Sequence, residues 1–344
     1  MAEYFKRVQK LTPTKFWINN VTREQAQLAI DHGAVGCTQN PSYTWKMLTN
    51  PDECKYAEEK LAEIMAYIDD DDDALTMLQR ELVSVIAKVF LPMYKASNGK
   101  AGYVSIQGSP FKEDTDSIIR YARFNREAGE NIMAKIPATE TGLKAIEVLA
   151  AERVPINATE CMTVRQVLDV CEIYEKATAN IENPAPLYFS LITGIFDEYL
   201  QNYVREKQID IDDDILSQAG ISIAKKVHAL VAERNYPCGF IGGGARKLCH
   251  FTDMVGANAS ITINWNGTAD ALLKLDLPVT NDFHRPTQYS VEDELIEKID
   301  EYRRAYFIHG IQPEEYEEYG AVVLFRSSFE KAWKQARDLI ASKR

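Results

Sequence analysis

Short apolar runs alternate with longer stretches of helical periodicity along most of this chain of 344 residues. Short apolar runs are typical of strands buried on both faces of a parallel sheet. Eight runs fit this pattern, at residues 16–19, 34–38, 101–107, 131–135, 154–157, 187–190, 239–241 and 259–263. Helical patterns lie between them at 23–32, 114–128, 141–152, 163–178 and 215–235, and Pro41 suits the start of the helix after the second strand. This order predicts an α/β fold, a closed (β/α)8 TIM barrel with extra helices.

Two regions carry helical patterns without matching strands. Residues 51–96 contain two such patterns, separated by the aspartates at 69–73. Because like charges repel, we interpret this block as a solvated turn rather than as a metal site. Beyond the last strand, patterns at 291–306 and 325–342 predict helices. We expect a barrel domain at 1–280 and a C-terminal helical extension at 281–344 that packs on it, either closing one end of the barrel or forming an oligomer contact.

Charge and cysteine usage narrow the class of protein. The formal net charge is -12 and the pI is about 5.1, so nucleic acid and anionic membranes would repel the chain. Six cysteines are spread without a CxxC pair, and residues 1–14 contain no apolar signal core. No segment approaches the roughly 18 apolar residues that span a bilayer. We expect a cytoplasmic protein whose partner is a small molecule, and homo-oligomer formation stays open.

A lysine lies inside the fourth apolar run. Proline removes a ladder donor, so this strand is expected to end near Pro137, with Lys135 at or near its C-terminal end. A buried ammonium is costly, so the side chain must meet a carboxylate, reach solvent or lose its proton. A neutral amine in a closed pocket is what Schiff-base chemistry on a carbonyl requires. The alternative is a lysine whose ammonium extends into water.

The predicted C-terminal ends of the strands, where (β/α)8 barrels place their active sites, are polar nearly all round. They are Asn19, residues 38–42 (TQNPS), 107–110 (QGSP), Lys135, 157–159 (NAT), Ser190 and 242–246 (GGGAR). Together they predict a ring of neutral hydrogen-bonding groups around one lysine. Such a lining suits a polyhydroxylated substrate with a carbonyl group.

In order and spacing, these segments resemble the transaldolase family over most of the chain. Residues 38–42 are similar to the family's TTNPS turn, 104–105 to its third strand, 135–142 to its Schiff-base segment and 157–159 to its NxT motif. Arg246 stands where the family has an arginine after the seventh strand, and the tail is similar at 303–306, Gly310 and 329–333. The chain is identified as a divergent member of the transaldolase and fructose-6-phosphate aldolase family.

The resemblance implies that Lys135 attacks the keto carbon of a ketose and holds it as an iminium. The iminium stabilises the carbanion formed when the bond between the third and fourth carbons breaks, leaving a dihydroxyacetone unit on the enzyme. Transfer to an aldehyde makes a transaldolase, and release to water makes an aldolase. The implied substrate is a sugar or a sugar phosphate of carbohydrate metabolism, such as a pentose phosphate. No metal or other cofactor is expected, because the iminium replaces a Lewis acid.

The resemblance also assigns roles to polar residues. Thr159 shares a catalytic water with the third-strand residue Gln107. The hydroxyls of the bound three-carbon unit are held by Thr38, Asn40, Asn157 and Ser190.

Two departures from the family pattern concern acid and base chemistry. Asn19 stands where the family usually has an aspartate, and an amide cannot take a proton at neutral pH. Gln107 replaces a glutamate, as in the fructose-6-phosphate aldolase branch, although that branch keeps the aspartate. Loss of both carboxylates is expected to remove negative charge near Lys135, which favours its neutral amine.

Other departures concern the terminal phosphate of the substrate. Ile195 stands where the family has an arginine, and Gly244 replaces a serine in the same subsite. Arg246 and the backbone of 242–244 can form an anion nest, although a tight turn explains the same glycines. We expect weak dependence on a terminal phosphate. Two function classes stay open: a transaldolase-like enzyme, and a family member that binds a sugar or serves a structural or regulatory role without cleavage.

Overall fold

The computed structural model describes residues 3–344 and contains a closed barrel of eight parallel strands. The strands pair in chain order, and β1 also pairs with β8. They are β1 (Lys15–Asn19), β2 (Ala34–Thr38), β3 (Tyr103–Gln107), β4 (Ile132–Pro137), β5 (Ile156–Cys161), β6 (Leu187–Leu191), β7 (Gly239–Gly242) and β8 (Ser260–Asn264). The (β/α)8 barrel is confirmed, and each of the eight strands lies where the pattern predicts it.

Helices surround this barrel. Up to β8 and directly after it they are α1 (Tyr4–Leu11), α2 (Arg23–Asp31), α3 (Ser42–Thr49), α4 (Cys54–Met65), α5 (Asp71–Ala96), α6 (Thr115–Arg126), α7 (Glu140–Ala151), α8 (Val164–Thr178), α9 (Thr193–Lys207), α10 (Asp213–Leu216), α11 (Ala219–Glu233), α12 (Cys249–Thr252) and α13 (Asp270–Leu275). The C-terminal helices are α14 (Tyr289–Lys298), α15 (Asp300–Tyr306) and α16 (Gly320–Lys343). Within residues 3–344 no helix combines the length and the apolar character needed to cross a membrane.

Five strands, β4 to β8, extend beyond their predicted ends, and the extension is longest in β4 and β5. β4 includes Pro137, whose Cα pairs with Thr159 of β5, so Lys135 lies two residues before the strand end. A proline at the last strand position costs the ladder one donor, and the amide of Ala138 still donates to the Thr159 carbonyl at 2.7 Å. β5 likewise continues past Asn157 to Cys161. Strand neighbours therefore hold the backbones of Lys135 and Asn157.

The aspartate block is not an open turn throughout, and the prediction is wrong for residues 71–73. These three aspartates form the first turn of α5, and the Asp70 carboxylate caps the helix by accepting from the Asp73 amide at 2.9 Å. Negative charge stabilises a helix N-terminus, which offsets the repulsion within the block. Asp72 is buried, where it accepts a hydrogen bond from the Trp333 indole at 2.7 Å and pairs with Lys112 at 3.2 Å.

Alternation along the strands divides the barrel interior into an apolar and a polar layer. The apolar layer is a buried cluster of Trp17, Tyr103, Met133 and Ile241. Side chains two positions further along a strand lie on the same face, nearer its C-terminal end. On β1, β3 and β4 these positions hold Asn19, Ser105 and Lys135. The apolar layer therefore lies directly beneath the polar side chains.

The predicted C-terminal helical extension is confirmed, although α14 and α15 break at Ile299. The last helix, α16, packs on α3, α5 and α9. Its Phe325, Ser328 and Phe329 reach the cavity at the C-terminal ends of the strands. This helix therefore covers one end of the barrel, and an oligomer contact of the extension stays a prediction.

Candidate active site

A cavity of about 170 Å³ opens at the C-terminal ends of the strands. Most of the strands, the loop after β7 and α16 contribute to its lining. The predicted site residues that line it are Asn19, Thr38, Asn40, Lys135, Thr159, Ser190, Gly244 and Arg246. The fold therefore brings together side chains that are far apart in the sequence.

Two predicted site residues, Gln107 and Asn157, lie behind this lining. Asn157 is fully buried, and its amide donates to the Ser105 hydroxyl at 3.2 Å. Its carbonyl accepts from the Ser190 hydroxyl at 2.7 Å. In this geometry Asn157 orients Ser190, and direct contact of Asn157 with a substrate stays a prediction.

Lys135 is only 7% exposed, and it lines both the cavity and a small void beside Gln107 and Glu113. Burial lowers the pKa of its amine from 10.5 to about 8, although the Glu160 carboxylate and the Cys37 thiol oppose this shift. A pKa near 8 leaves roughly a tenth of the amine uncharged at pH 7, compared with well under a thousandth for an ordinary lysine. The side chain can therefore supply a nucleophilic amine.

Neutral amides and hydroxyls line the β1 and β2 side of the cavity. Asn19 accepts from the Thr38 hydroxyl at 2.8 Å and donates to the Asn264 carbonyl at 3.0 Å. The amides of Asn20 and Asn40 pair at 3.0 Å. Among the described residues that line the cavity there is no aspartate or glutamate. The Asn19 side chain can therefore form hydrogen bonds with a substrate in the cavity, but it cannot act as an acid or a base.

Arg246 stands at the cavity mouth and is already paired. Its Nε donates to Glu198 Oε2 at 2.6 Å, and both side chains are nearly half exposed. The backbone amide of Arg246 donates to His250 Nδ1 at 3.0 Å, and His250 Nε2 lies 3.0 Å from Asp197. His250 and Asp197 therefore fix the loop after β7, while Glu198 competes with any anion for Arg246.

The turn after β7 requires glycine at position 244. Gly244 has a φ of +70°, and a Cβ there would lie 2.4 Å from Ile192 Cγ2 and 3.0 Å from Ile195 Cγ1. Both conformation and close packing exclude a larger residue. The Ile195 side chain is buried and offers no donor. Gly243 and Gly244 also line the cavity, so an anion nest at their backbone stays a prediction.

Two buried carboxylates beside Lys135 are absent from the sequence-based prediction. Glu160 is fully buried, and the Gln107 amide donates to its Oε1 at 3.0 Å. The same amide lies 3.5 Å from Oε1 of Glu113, in the loop between β3 and α6. Arg326 of α16 faces Glu113 with an Nε–Oε2 distance of 3.3 Å. Two carboxyl groups therefore remain near Lys135, although positions 19 and 107 carry amides.

Burial raises the pKa of both carboxyls. For Glu113 the charge of Glu160 raises it further, and Arg326 opposes the rise. For Glu160 the opposing influences are Arg326, the Gln107 hydrogen bond and Lys135. The backbone of Glu160 has a φ of +63°, where the β5–β6 register shifts, so its direction does not follow strand alternation. The sequence signal for this site residue is the presence of a glutamate within the run that forms β5. Strand alternation alone assigns its side chain to the wrong face of the strand.

Several curated relatives of this chain are named as transaldolases. A transaldolase of Saccharopolyspora erythraea is 28% identical over 236 residues, 63% of this chain and 62% of that protein. Transaldolase 2 of Nostoc sp. is 30% identical over 167 residues, 46% of this chain and 43% of that protein. A transaldolase of Mycobacterium tuberculosis is 26% identical over 236 residues, 63% of this chain and 61% of that protein. The chain thus spans less than two thirds of the length of these relatives.

A family model, described as transaldolase/fructose-6-phosphate aldolase, matches residues 16–338. This range contains every residue that lines the cavity, and it also contains Glu113, Glu160 and Arg326. It extends from β1 into the last turns of α16. The match therefore covers the barrel and the helix that closes it, and the chain belongs to the transaldolase/fructose-6-phosphate aldolase family.

Proposed function

We propose that this protein is a transaldolase-like enzyme in which Lys135 forms a Schiff base with a ketose. The observation that carries the proposal is the buried Lys135 amine, with a pKa of about 8, at the wall of a cavity lined by amides and hydroxyls. An uncharged amine attacks a carbonyl, and amides and hydroxyls bind sugar hydroxyls without excess charge. Family membership supports the same reaction class.

The proposed reaction begins when Lys135 Nζ attacks the keto carbon and the carbonyl oxygen leaves as water. The resulting iminium accepts the electron pair of the bond between the third and fourth carbons while a water takes the proton of the fourth-carbon hydroxyl, so that an aldehyde leaves and an enamine remains. Attack of the enamine on a second aldehyde gives a transaldolase, and protonation followed by hydrolysis gives an aldolase. Thr38, Asn40 and Ser190 hold hydroxyls of the three-carbon unit, and Thr159 orients the water.

A family member that binds a sugar without cleaving it is the second candidate. The observation that favours it is the absence of aspartate and glutamate among the described residues that line the cavity. Without an acid or base at the fourth carbon, an imine forms and no aldehyde leaves. Imine trapping and aldehyde release therefore separate the two candidates.

Borohydride trapping tests the enzyme proposal. Incubation with ketoses and borohydride is expected to reduce an imine and to leave a mass adduct on the peptide that contains Lys135. Lys135→Arg removes the adduct because a guanidinium does not form the imine, whereas Lys144→Arg, on the surface beside Glu140, retains it. Adduct on other lysines alone, or on none with any ketose tried, contradicts the proposal. Adduct on Lys135 without aldehyde release selects the sugar-binding candidate.

A further inference from the structure

Four largely buried side chains form a polar group beside Lys135, here named the carboxylate cluster: Gln107, Glu113, Glu160 and Arg326. They come from β3, the loop after it, β5 and α16. Strand β4, which carries Lys135, lies between β3 and β5. The Gln107–Glu160 hydrogen bond of 3.0 Å therefore crosses β4, and the Cα of Gln107 is the ladder partner of Lys135. This crossing brings the Glu160 carboxyl to the strand end beside the amine.

Several polar atoms at this place are buried and have no protein partner. Among the described residues they include Glu160 Oε2, Gln107 Oε1 and Thr159 Oγ1. A buried polar atom left unpaired costs about 1–3 kcal/mol, so its retention calls for a functional explanation. Thr159 lines the cavity, and the fully buried Glu160 lies directly behind it in the chain. Among the described residues no hydrogen bond or ion pair joins Glu160 to Lys135 or Thr159, so a water that pairs with these unpaired oxygens would carry a proton between the cavity and Glu160.

We propose that Glu160 accepts the proton that Lys135 gives up and returns it during imine formation, a role that the amide of Gln107 on β3 cannot fill. The proposal rests on the Schiff-base function argued above. Glu160 does not itself line the cavity and acts on Lys135 through a bridging water, so it is a positioning residue for the proton.

The proton balance is closed within the site. The Lys135 ammonium transfers one proton through a bridging water to the Glu160 carboxylate, and the neutral amine then adds to the keto carbon, which gives a carbinolamine once the nitrogen proton has moved to the oxygen. The same water takes the Glu160 proton as it gives one of its own hydrogens to the carbinolamine hydroxyl. That hydroxyl leaves as water while the nitrogen lone pair forms the iminium. The products are an iminium cation and a Glu160 carboxylate, which attract each other.

The charges around Glu160 favour this role over Glu113. The groups that face Glu160 are Lys135, Arg326, Glu113 and Glu317, and Cys37 also faces Lys135. Arg326 lies 3.3 Å from Glu113 and donates to Glu317 at 2.9 Å, so its positive charge is already shared. Two buried carboxylates cannot both ionise readily, and one proton stays on the pair. Burial raises the pKa of Glu160, and Lys135 opposes this rise, as expected for two groups that share a proton.

Competitive acetylation across pH, read by peptide mass spectrometry, tests the shared proton without any ketose. In Glu160→Gln the pKa of the Lys135 amine is expected to fall below its native value, because the carboxylate that favours the ammonium is gone. Lys46 is an internal control, since burial also lowers its pKa and Glu160 does not act on it. Glu53→Gln is the matched variant, because Glu53 is a buried carboxylate that pairs with Arg23 at 2.9 Å. An unchanged Lys135 profile in folded Glu160→Gln overturns the proposal.

Turnover supplies the second measurement. A positioned acid or base is worth roughly 10²–10⁴ in rate, so Glu160→Gln is expected to lose turnover within this range, and Glu53→Gln is expected to keep it. The loss should be smaller in Glu160→Asp, which retains a carboxyl, and the pH optimum should move. Native turnover and pH profile in Glu160→Gln overturn the proposal. If native protein traps no imine, the Schiff-base function fails, and the acetylation profile still decides whether Glu160 and Lys135 share a proton.

Discussion

At the scale of single residues, we expect Asn19 to limit proton transfer at the fourth-carbon hydroxyl of a bound ketose. Its amide accepts from Thr38 and donates to Asn264. In Asn19→Asp the bond from Thr38 persists, and Asn264 can turn its amide to donate to the new carboxylate. We expect native protein to turn over fructose 6-phosphate slowly and Asn19→Asp to be faster, by a factor of up to roughly 10²–10⁴. An aldehyde-release assay measures both.

Asn20→Asp is the matched control, because it introduces the same charge one residue away, in the amide pair with Asn40. It is expected to leave turnover unimproved, since its carboxylate would replace the amide that pairs with Asn40. Equal improvement in both variants would show that charge rather than position matters. Rapid native turnover of fructose 6-phosphate would show that another group already supplies the proton transfer.

Residue types along the strand ends predicted most of the cavity lining, because parallel strands deliver their C-terminal ends to one place. Thr38, Lys135 and Ser190 are in the lining for that reason. Glu160 escaped prediction because its left-handed φ and the register shift at β5 reverse the face that alternation assigns. Arg326 escaped because its contact with Glu113 depends on the docking of α16, which local sequence does not encode.

At the scale of elements, α9 carries Glu198 to Arg246, and we expect this contact to weaken phosphate binding at the site. Arg246 Nε donates to Glu198 at 2.6 Å, so the carboxylate already neutralises part of the charge that a phosphate would meet. We expect little preference for a terminal phosphate ester in native protein and a clear preference in Glu198→Gln. A charge-assisted hydrogen bond is worth about 1.5–3 kcal/mol, which corresponds to roughly tenfold to a hundredfold in relative trapping. Borohydride trapping of a ketose and its terminal phosphate ester, side by side, measures the ratio.

Glu206→Gln is the control for this comparison, because Glu206 lies on the same helix in an exposed pair with Lys207. It removes the same charge from α9 without freeing Arg246. Arg246→Ala in the Glu198→Gln background should cancel the gained preference. A strong native preference for the phosphate ester that Arg246→Ala abolishes would show that the phosphate subsite is intact, contrary to this expectation.

Secondary-structure elements were predicted correctly where the burial and the hydrophobic periodicity of a segment indicate the same structure. They were predicted incorrectly where the interpretation depended on charge alone. All eight strands follow from short apolar runs, since both faces of a barrel sheet are covered. Asp71–Asp73 show the opposite case. Their repulsion suggested a turn, yet a helix N-terminus and the Trp333 indole give the negative charges favourable partners.

At the scale of the whole molecule, α16 couples the outer shell of the barrel to its centre. Trp333 bonds the buried Asp72 at 2.7 Å, and Lys343 pairs with Glu58 at 3.0 Å. Between these anchors and the start of the helix, Phe325 and Phe329 line the cavity and Arg326 faces Glu113. One docked helix therefore covers part of the site and places a positive charge beside its carboxylates.

The carboxylate cluster also makes global stability depend on pH. Burial and Glu160 raise the pKa of Glu113 above its usual 4.5. Between the pKa of this carboxyl in the unfolded chain and its higher pKa in the folded protein, the folded protein binds more protons than the unfolded chain. The contribution of Glu113 to stability is therefore lost as pH rises through this window. In Glu113→Gln that loss disappears, and we expect the stability of the variant relative to native protein to increase from pH 4.5 upward. Urea unfolding at a series of pH values up to 8 measures the difference.

The upper limit of pH 8 keeps most of the pH-dependent contribution of Lys135 out of this measurement. Its amine has a lowered pKa of about 8, and its own contribution raises stability with pH above that value. Glu152→Gln is a control in which the stability difference is expected to have the opposite sign. Arg123 lowers the pKa of the Glu152 carboxyl, so native protein should be more stable than this variant above the pH range in which Glu152 titrates. That effect is small, since the pair is largely exposed. A Glu113→Gln difference that stays constant with pH would show that Glu113 titrates in the folded protein as it does in the unfolded chain.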